Sequence, residues 1–166
     1  MTSTKELLQA QLQQWDEWIR TGESSKVKQL CFELNAKTIP RELLVDYGDI
    51  ARRVGAPELI IRWLRPIVRA DKVLTLQPMA QEKALYALGL LRLGAFREAS
   101  QILEEINVEE DPQVHFYRAS LLMNQWDYKK AVPELRKYVR HPKVPRYMQL
   151  VGGLNLCASL VCLRNL

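Results

Sequence analysis

Residues that build reaction centres and cross-links are scarce in this chain. Among 166 residues there are two histidines, His115 and His141, and three cysteines, Cys31, Cys157 and Cys162. Neither histidine lies within helical reach of a cysteine or a carboxylate pair, so no zinc site is expected. The cysteines are odd in number, lie among apolar neighbours and include no close pair, which excludes a disulfide scaffold and predicts core thiols in a reducing compartment. A phosphate loop is missing too: Gly152-Gly153 lies within a helical pattern and is not followed by Lys-Ser or Lys-Thr. No long uninterrupted apolar run occurs, because the most apolar stretch contains Asn155 and closes at Arg164, short of the roughly 20 residues of a membrane span. The N-terminus shows no apolar signal stretch. These absences predict a cytoplasmic protein without catalysis, metal, cofactor or membrane insertion.

What is present is an ordinary globular composition, 48% hydrophobic and 26% charged, in a length that suits one domain over 1–166. The net charge of +5 is unevenly spread. Residues 73–111 hold three Lys and Arg against seven acids, whereas 112–166 hold nine against two. The carboxylate run Glu104, Glu105, Glu109, Glu110 and Asp111 falls at a helix end and turn, where a solvated charge run is the better explanation.

Apolar residues recur at three- and four-residue steps nearly throughout, predicting an all-α chain. Ser3 followed by Glu6 forms a capping-box pattern for a first helix ending at Thr21-Gly22. Further helices are expected at about 24–35, 40–55, 57–69, 78–94, 96–107, 112–125, 128–140 and from Pro145 onward, about nine in all. The longest connection is expected at 71–77. Pro66 and Pro133, inside two of these helices, predict local bends.

A repeat runs through the pattern. Ala87, Gly94, Phe96, Ala99, Leu103 and Ile106 are separated by steps of 7, 2, 3, 4 and 3. The same steps give Ala119, Trp126, Tyr128, Ala131, Leu135 and Tyr138, with Trp126 where glycine would close the turn. Upstream they give Gly48, Gly55, Pro57, Ile60, Leu64 and Ile67, then Trp15, Gly22, Ser24, Val27, Cys31 and Leu34. Small residues let two antiparallel helices approach, and the residue after the turn plugs the gap between them. A single hairpin buries one face only, so copies must stack. The alternative is a non-repetitive helical bundle.

The segment Ala84-Leu-Tyr-Ala-Leu-Gly-Leu-Leu-Arg-Leu-Gly-Ala-Phe-Arg-Glu-Ala99, with Gln125-Trp-Asp-Tyr-Lys-Lys-Ala131 after it, resembles the tetratricopeptide repeat family. The resemblance is strongest over 80–142 and weakest over 8–36, where Trp15 fills a small-residue slot. It implies a right-handed α-solenoid of antiparallel hairpins at about 3–36, 40–70, 78–108 and 112–141, with a last helix over 145–164. Ala158 would begin a fifth copy, leaving Leu154, Cys157, Ala158 and Val161 on a face awaiting a partner helix. Either the chain continues past Leu166 in a longer solenoid, which the pattern slightly favours, or this helix self-associates.

Such a stack implies a concave groove that binds a protein or peptide partner. Its N-terminal half would present Asp16, Asp46, Asp49 and Arg53; its C-terminal half Leu88, Arg92, Phe116, Tyr117, Ser120 and Asn124. The acidic end beside the aromatic end suits a peptide with basic residues and large apolar anchors. The family's carboxylate-clamping lysines and asparagines have no match at Leu12, Asp16, Asp46 and Gln81, which disfavours that ligand class. A second surface is the basic stripe Lys129, Lys130, Arg136, Lys137 and Arg140. It lacks exposed aromatics for base stacking, so nucleic acid is disfavoured. The expected function is a non-catalytic interaction module or scaffold. The alternatives are a chaperone for a secreted or assembly-prone client, as in small helical-repeat chaperones of bacterial secretion systems, and the regulatory N-terminal domain of a longer enzyme.

Overall fold

Every regular element in the computed structural model, which describes residues 4–69 and 77–164, is a helix, and no strand occurs among the described residues. The chain divides into two compact units, Met1–Gly94 and Ala95–Leu166. The boundary falls in the turn of the third expected hairpin.

The first unit holds α1 (Thr4–Arg20), α2 (Ser24–Glu33), a 3-10 turn (Ala36–Thr38), α3 (Arg41–Arg53), α4 (Pro57–Val68) and α5 (Ala80–Arg92). α1 packs on α2 and α3, and α3, α4 and α5 pack on one another. The small-residue positions are where the helices meet. A Cβ on Gly48 of α3 would stand 2.5 Å from Leu85 Cδ2 of α5. Around this crossing Leu59, Ile60, Trp63 and Leu64 of α4 are buried, each contributing about 1.5–3 kcal/mol of burial. Tyr47 links α1 to this core. Its ring lies edge-on to Trp15 at 5.7 Å and to Trp63 at 6.5 Å, and its hydroxyl donates to Gln11 Oε1 at 2.7 Å with Leu8 O 3.1 Å away. Burial, with Cys31 nearby, pushes the Tyr47 phenol up to about 12.

Glu82 is fully buried, an outcome that helical periodicity did not flag. Arg41 donates to both its carboxylate oxygens at 2.8 Å, and the Met79 backbone N–H donates to Oε2 at 2.7 Å. That last bond explains why α5 begins at Ala80 and not at Pro78: Met79 is the cap, and Pro78 precedes it.

The second unit holds α6 (Phe96–Glu104), α7 (Gln113–Asn124), α8 (Tyr128–Arg140) and α9 (Arg146–Arg164). α7 packs on α6 and α8, and α8 packs on α9. Ala119, Ala131 and Leu135 form a fully buried cluster, with Phe116, Leu122, Met123 and Leu156 half-buried against it. α6 stops short of the expected residue 107, where Asn107 opens a turn by accepting the Glu109 N–H. Pro133 lies inside α8, as Pro66 does inside α4, leaving the carbonyls of Lys129 and Arg62 without their usual helical donors.

Residues at matching places in the sequence pattern share burial and backbone conformation in both units. Val27, Ile60, Ala99 and Ala131 occupy one position of the pattern, and all four are fully buried. At the turns, Gly22, Gly55 and Gly94 have φ of 94°, 69° and 80°, and Trp126 takes the same left-handed conformation at 62°. Ser3 of the expected capping box and most of the expected connection at 71–77 lie outside the described residues.

Candidate functional site

The first unit carries an open groove of about 750 Å³ between α1 and α3. Gln9, Leu12, Gln13 and Asp16 form one wall, and Leu43, Val45, Asp46, Asp49, Ile50 and Arg53 the other. All four charged residues expected at the acidic end of a groove, Asp16, Asp46, Asp49 and Arg53, are thus brought together. They converge because Asp46, Asp49 and Arg53 recur at three and four residues, on one edge of α3, while Leu43 and Ile50 point inward as core.

The charges are not equivalent. Arg53 donates to Asp16, which also pairs with Arg20 at 2.7 Å. The Arg53 hydrogen bond, opposed by burial and assisted by both arginine charges, holds the Asp16 carboxyl below its usual range. Asp49 pairs with Arg52 at 2.8 Å. Asp46 is exposed and has no ion-pair partner among the described residues. The groove therefore offers, among the described residues, one carboxylate without an ion pair, two partly neutralised ones, and half-buried apolar side chains at Leu12 and Val45.

Other expected groove residues are disposed differently. Leu88 is 5% exposed and belongs to the core of the first unit, because it lies on the face of α5 that packs inward; it is not a contact surface. Arg92 is exposed at the end of α5 and does not line the groove. In the second unit Phe116 is half-buried, its ring 5.2 Å from Tyr138 and 6.3 Å from Tyr117. It serves the α7–α8 core more than a free anchor would. Ser120 donates to Phe116 O and Asn124 to Ser120 O, so these groups are engaged by their own helix.

A second groove, about 680 Å³, lies between α6, α7 and α8 in the second unit. Leu103, Leu121, Leu122 and Pro133 supply apolar lining, and Arg118, Lys129 and Lys130 face Glu104, Asp127 and Glu134 around it. The five basic residues expected on α8 are all exposed. Only Lys129 and Lys130 reach this groove; Arg136, Lys137 and Arg140 do not. Lys130 pairs with Asp127 at 2.9 Å and Lys137 with Glu134 at 3.4 Å, which moderates the stripe.

Glu134 also meets His115 Nδ1 at 2.7 Å across the α7–α8 hairpin. Burial pushes its carboxyl up, but the hydrogen bond and charge of His115, together with Lys137, bring it below its usual range. Sequence spacing missed this pair, since its members stand nineteen positions apart; the expected antiparallel hairpin over 112–141 was the signal that could have found it. Among the described residues no group of three His, Cys, Asp or Glu is placed to hold a metal.

The cysteines need a correction. Cys31 is buried, and desolvation pushes its thiol up to about 11, but Cys157 is exposed on α9 because that helix turns an apolar face outward. α9 is also the one helix among the described residues long and apolar enough to cross a membrane by length and composition. Compared with family models, with curated proteins and with solved structures, the chain matches none.

Proposed function

We propose that this chain is a non-catalytic interaction module of tetratricopeptide-like hairpins, which receives a peptide segment in the groove between α1 and α3. The bound segment carries basic residues spaced to meet Asp46 and Asp49, and a large apolar side chain that sits over Leu12 and Val45. One observation carries this: four charged residues that the family resemblance placed at one end of a groove, Asp16, Asp46, Asp49 and Arg53, line a single open groove. Electrostatic complementarity of this kind chiefly governs partner choice and on-rate, and the buried anchor supplies affinity. The equivalent burial of Val27, Ile60, Ala99 and Ala131 supports the hairpin repeat.

A fluorescently labelled peptide alternating Lys or Arg with Leu provides the test, read by anisotropy against the full chain. Binding is expected to weaken more than about ten-fold in Asp46→Lys/Asp49→Lys, since two attractive contacts become repulsive. Equal binding by parent and variant would overturn the groove assignment. Raising the salt should weaken binding without abolishing it, because the apolar anchor is not screened.

A further inference from the structure

The groove between α6, α7 and α8 shares no residue with the α1/α3 groove, and its charges do not cancel. Three acids and three bases line it. Asp127 is taken by Lys130, whose ammonium lies 2.9 Å away and whose backbone N–H it caps. Glu134 is taken by His115 and Lys137, neither of which lines the groove. What remains is Glu104 against Arg118 and Lys129, and none of these three has an ion-pair partner among the described residues. Glu104 accepts the Ser100 hydroxyl at 3.1 Å. The acids that follow it, from Glu105 to Asp111, do not line the groove.

Arg118 is half-buried on α7, and a guanidinium withdrawn from water costs free energy unless a counter-charge meets it. One of its N–H groups donates to the Leu103 carbonyl at 2.7 Å, in the last turn of α6. That bond anchors the group at the groove wall and leaves the rest of its donor fork without an acceptor among the described residues. Lys129, exposed on α8, is the second cation. The accessible apolar lining is the half-buried Leu122 and the exposed Pro133, enough to seat one ring but not the run of anchors along which a peptide docks. The volume, about 680 Å³, falls in the range of small-molecule sites.

The uncancelled charge selects the ligand. A cation would meet Arg118 and Lys129, and a neutral apolar molecule would leave the half-buried guanidinium unpaired. A dianion would set its second charge against Glu104. A single negative charge matches two bases less one acid. We propose that this groove binds a small organic monoanion, a carboxylate carried on one apolar ring or branched chain. The carboxylate is received by Arg118, whose planar donor fork suits it, and by Lys129. The apolar body rests on Leu122 and Pro133.

Phenylbutyrate is the probe, and phenylbutanol, with the same apolar body and no charge, is its control. Each is titrated into the isotope-labelled full chain while amide NMR shifts are followed. The expected result is saturable shifts centred on Arg118, Leu122 and Lys129, with the acid bound about five-fold tighter than the alcohol, the increment of two partly exposed ion pairs. Arg118→Gln/Lys129→Gln should bring the acid down to the affinity of the alcohol while the helical circular dichroism spectrum is kept. Lys129→Gln alone changes an exposed side chain, so it tests the site without risk to the fold, and it should weaken the acid about two-fold. Glu104→Gln should tighten the acid by a similar factor, because a repelling carboxylate is removed. Equal binding of acid and alcohol would overturn the assignment, as would a preference that these variants leave unchanged. No saturable shift with either compound, or shifts confined to the exposed apolar face of α9, would overturn it too. Tighter binding by a peptide of glutamate and leucine than by phenylbutyrate would assign the groove to a protein partner instead. Failure of the α1/α3 groove would leave this result standing, since the probe carries no basic group.

Discussion

The two units use polar groups in opposite ways. In Met1–Gly94 the charged residues are built in: Glu82 is fully buried beneath Arg41, and Asp16 is held by Arg53 and Arg20 at the groove wall. In Ala95–Leu166 polar pairing is lighter, with His115 and Glu134 as its most buried pair, and the longest helix leaves an apolar face uncovered. The lesson is that two all-helical units can carry two kinds of surface. The residues outside each core decide whether a unit presents charges on a wall or an uncovered apolar face.

This contrast breaks most sharply at the buried pairs. Glu82→Ala removes the fully buried carboxylate that Arg41 and the Met79 N–H both donate to, and should cost about 3–5 kcal/mol. Glu134→Ala should cost about 1.5–3 kcal/mol, the range for a hydrogen bond to a charged group. Amide hydrogen exchange separates the two, since the first should lower protection in α5 and the second in α8. Equal losses would mean that the units share one cooperative core.

A second contrast lies within α9. A Cβ at Gly152 would meet Tyr138 Cδ1 at 2.7 Å, whereas one at Gly153 would meet nothing within 4 Å. Gly152→Ala should therefore destabilise by about 1–3 kcal/mol through overpacking. Gly153→Ala should stabilise by about 0.5–1 kcal/mol, because alanine loses less freedom in a helix. Urea midpoints of the two variants should fall on opposite sides of the parent's. A third contrast compares turns: Gly94→Ala should cost about 1 kcal/mol and Trp126→Gly gain up to about that amount, both from the left-handed backbone.

The smallest effect is the response to acid. Asp16 in the first unit and Glu134 in the second both titrate below their ordinary values of 3.8 and 4.5. Each contributes stability that is present above its ordinary value and is lost as the pH falls through the lower folded one. Carboxyl NMR titration should show both depressions, and Arg53→Ala should move Asp16 upward while leaving Glu134 in place.

Much of the helical framework was legible because periodicity reports burial directly: α8 at Tyr128–Arg140 coincides with its expected span, and Trp126 takes the glycine conformation its place in the pattern required. The acidic groove residues were legible only through the groove that the family resemblance implied, with Asp46, Asp49 and Arg53 close on one helix and Asp16 on another. What escaped the sequence depended on contacts between helices. Glu82 reads as a surface residue by type, and only the approach of Arg41 from α3 makes its burial tolerable. Leu88 shared a helix with exposed Arg92, yet packing of α5 on α3 and α4 placed it in the core. Cys157 was apolar in context but faced outward, because α9 is covered on one side only.

The most direct test of the interaction reading is a residue-resolved one. The isotope-labelled chain is titrated with the basic, leucine-containing peptide while amide NMR shifts are followed. The expected result is a set of saturable shifts on α1 and α3 centred on Asp16, Asp46 and Asp49, absent in Asp46→Lys/Asp49→Lys. Shifts confined to α7, α8 or α9, or no saturable shift at all, would contradict peptide binding in the α1/α3 groove.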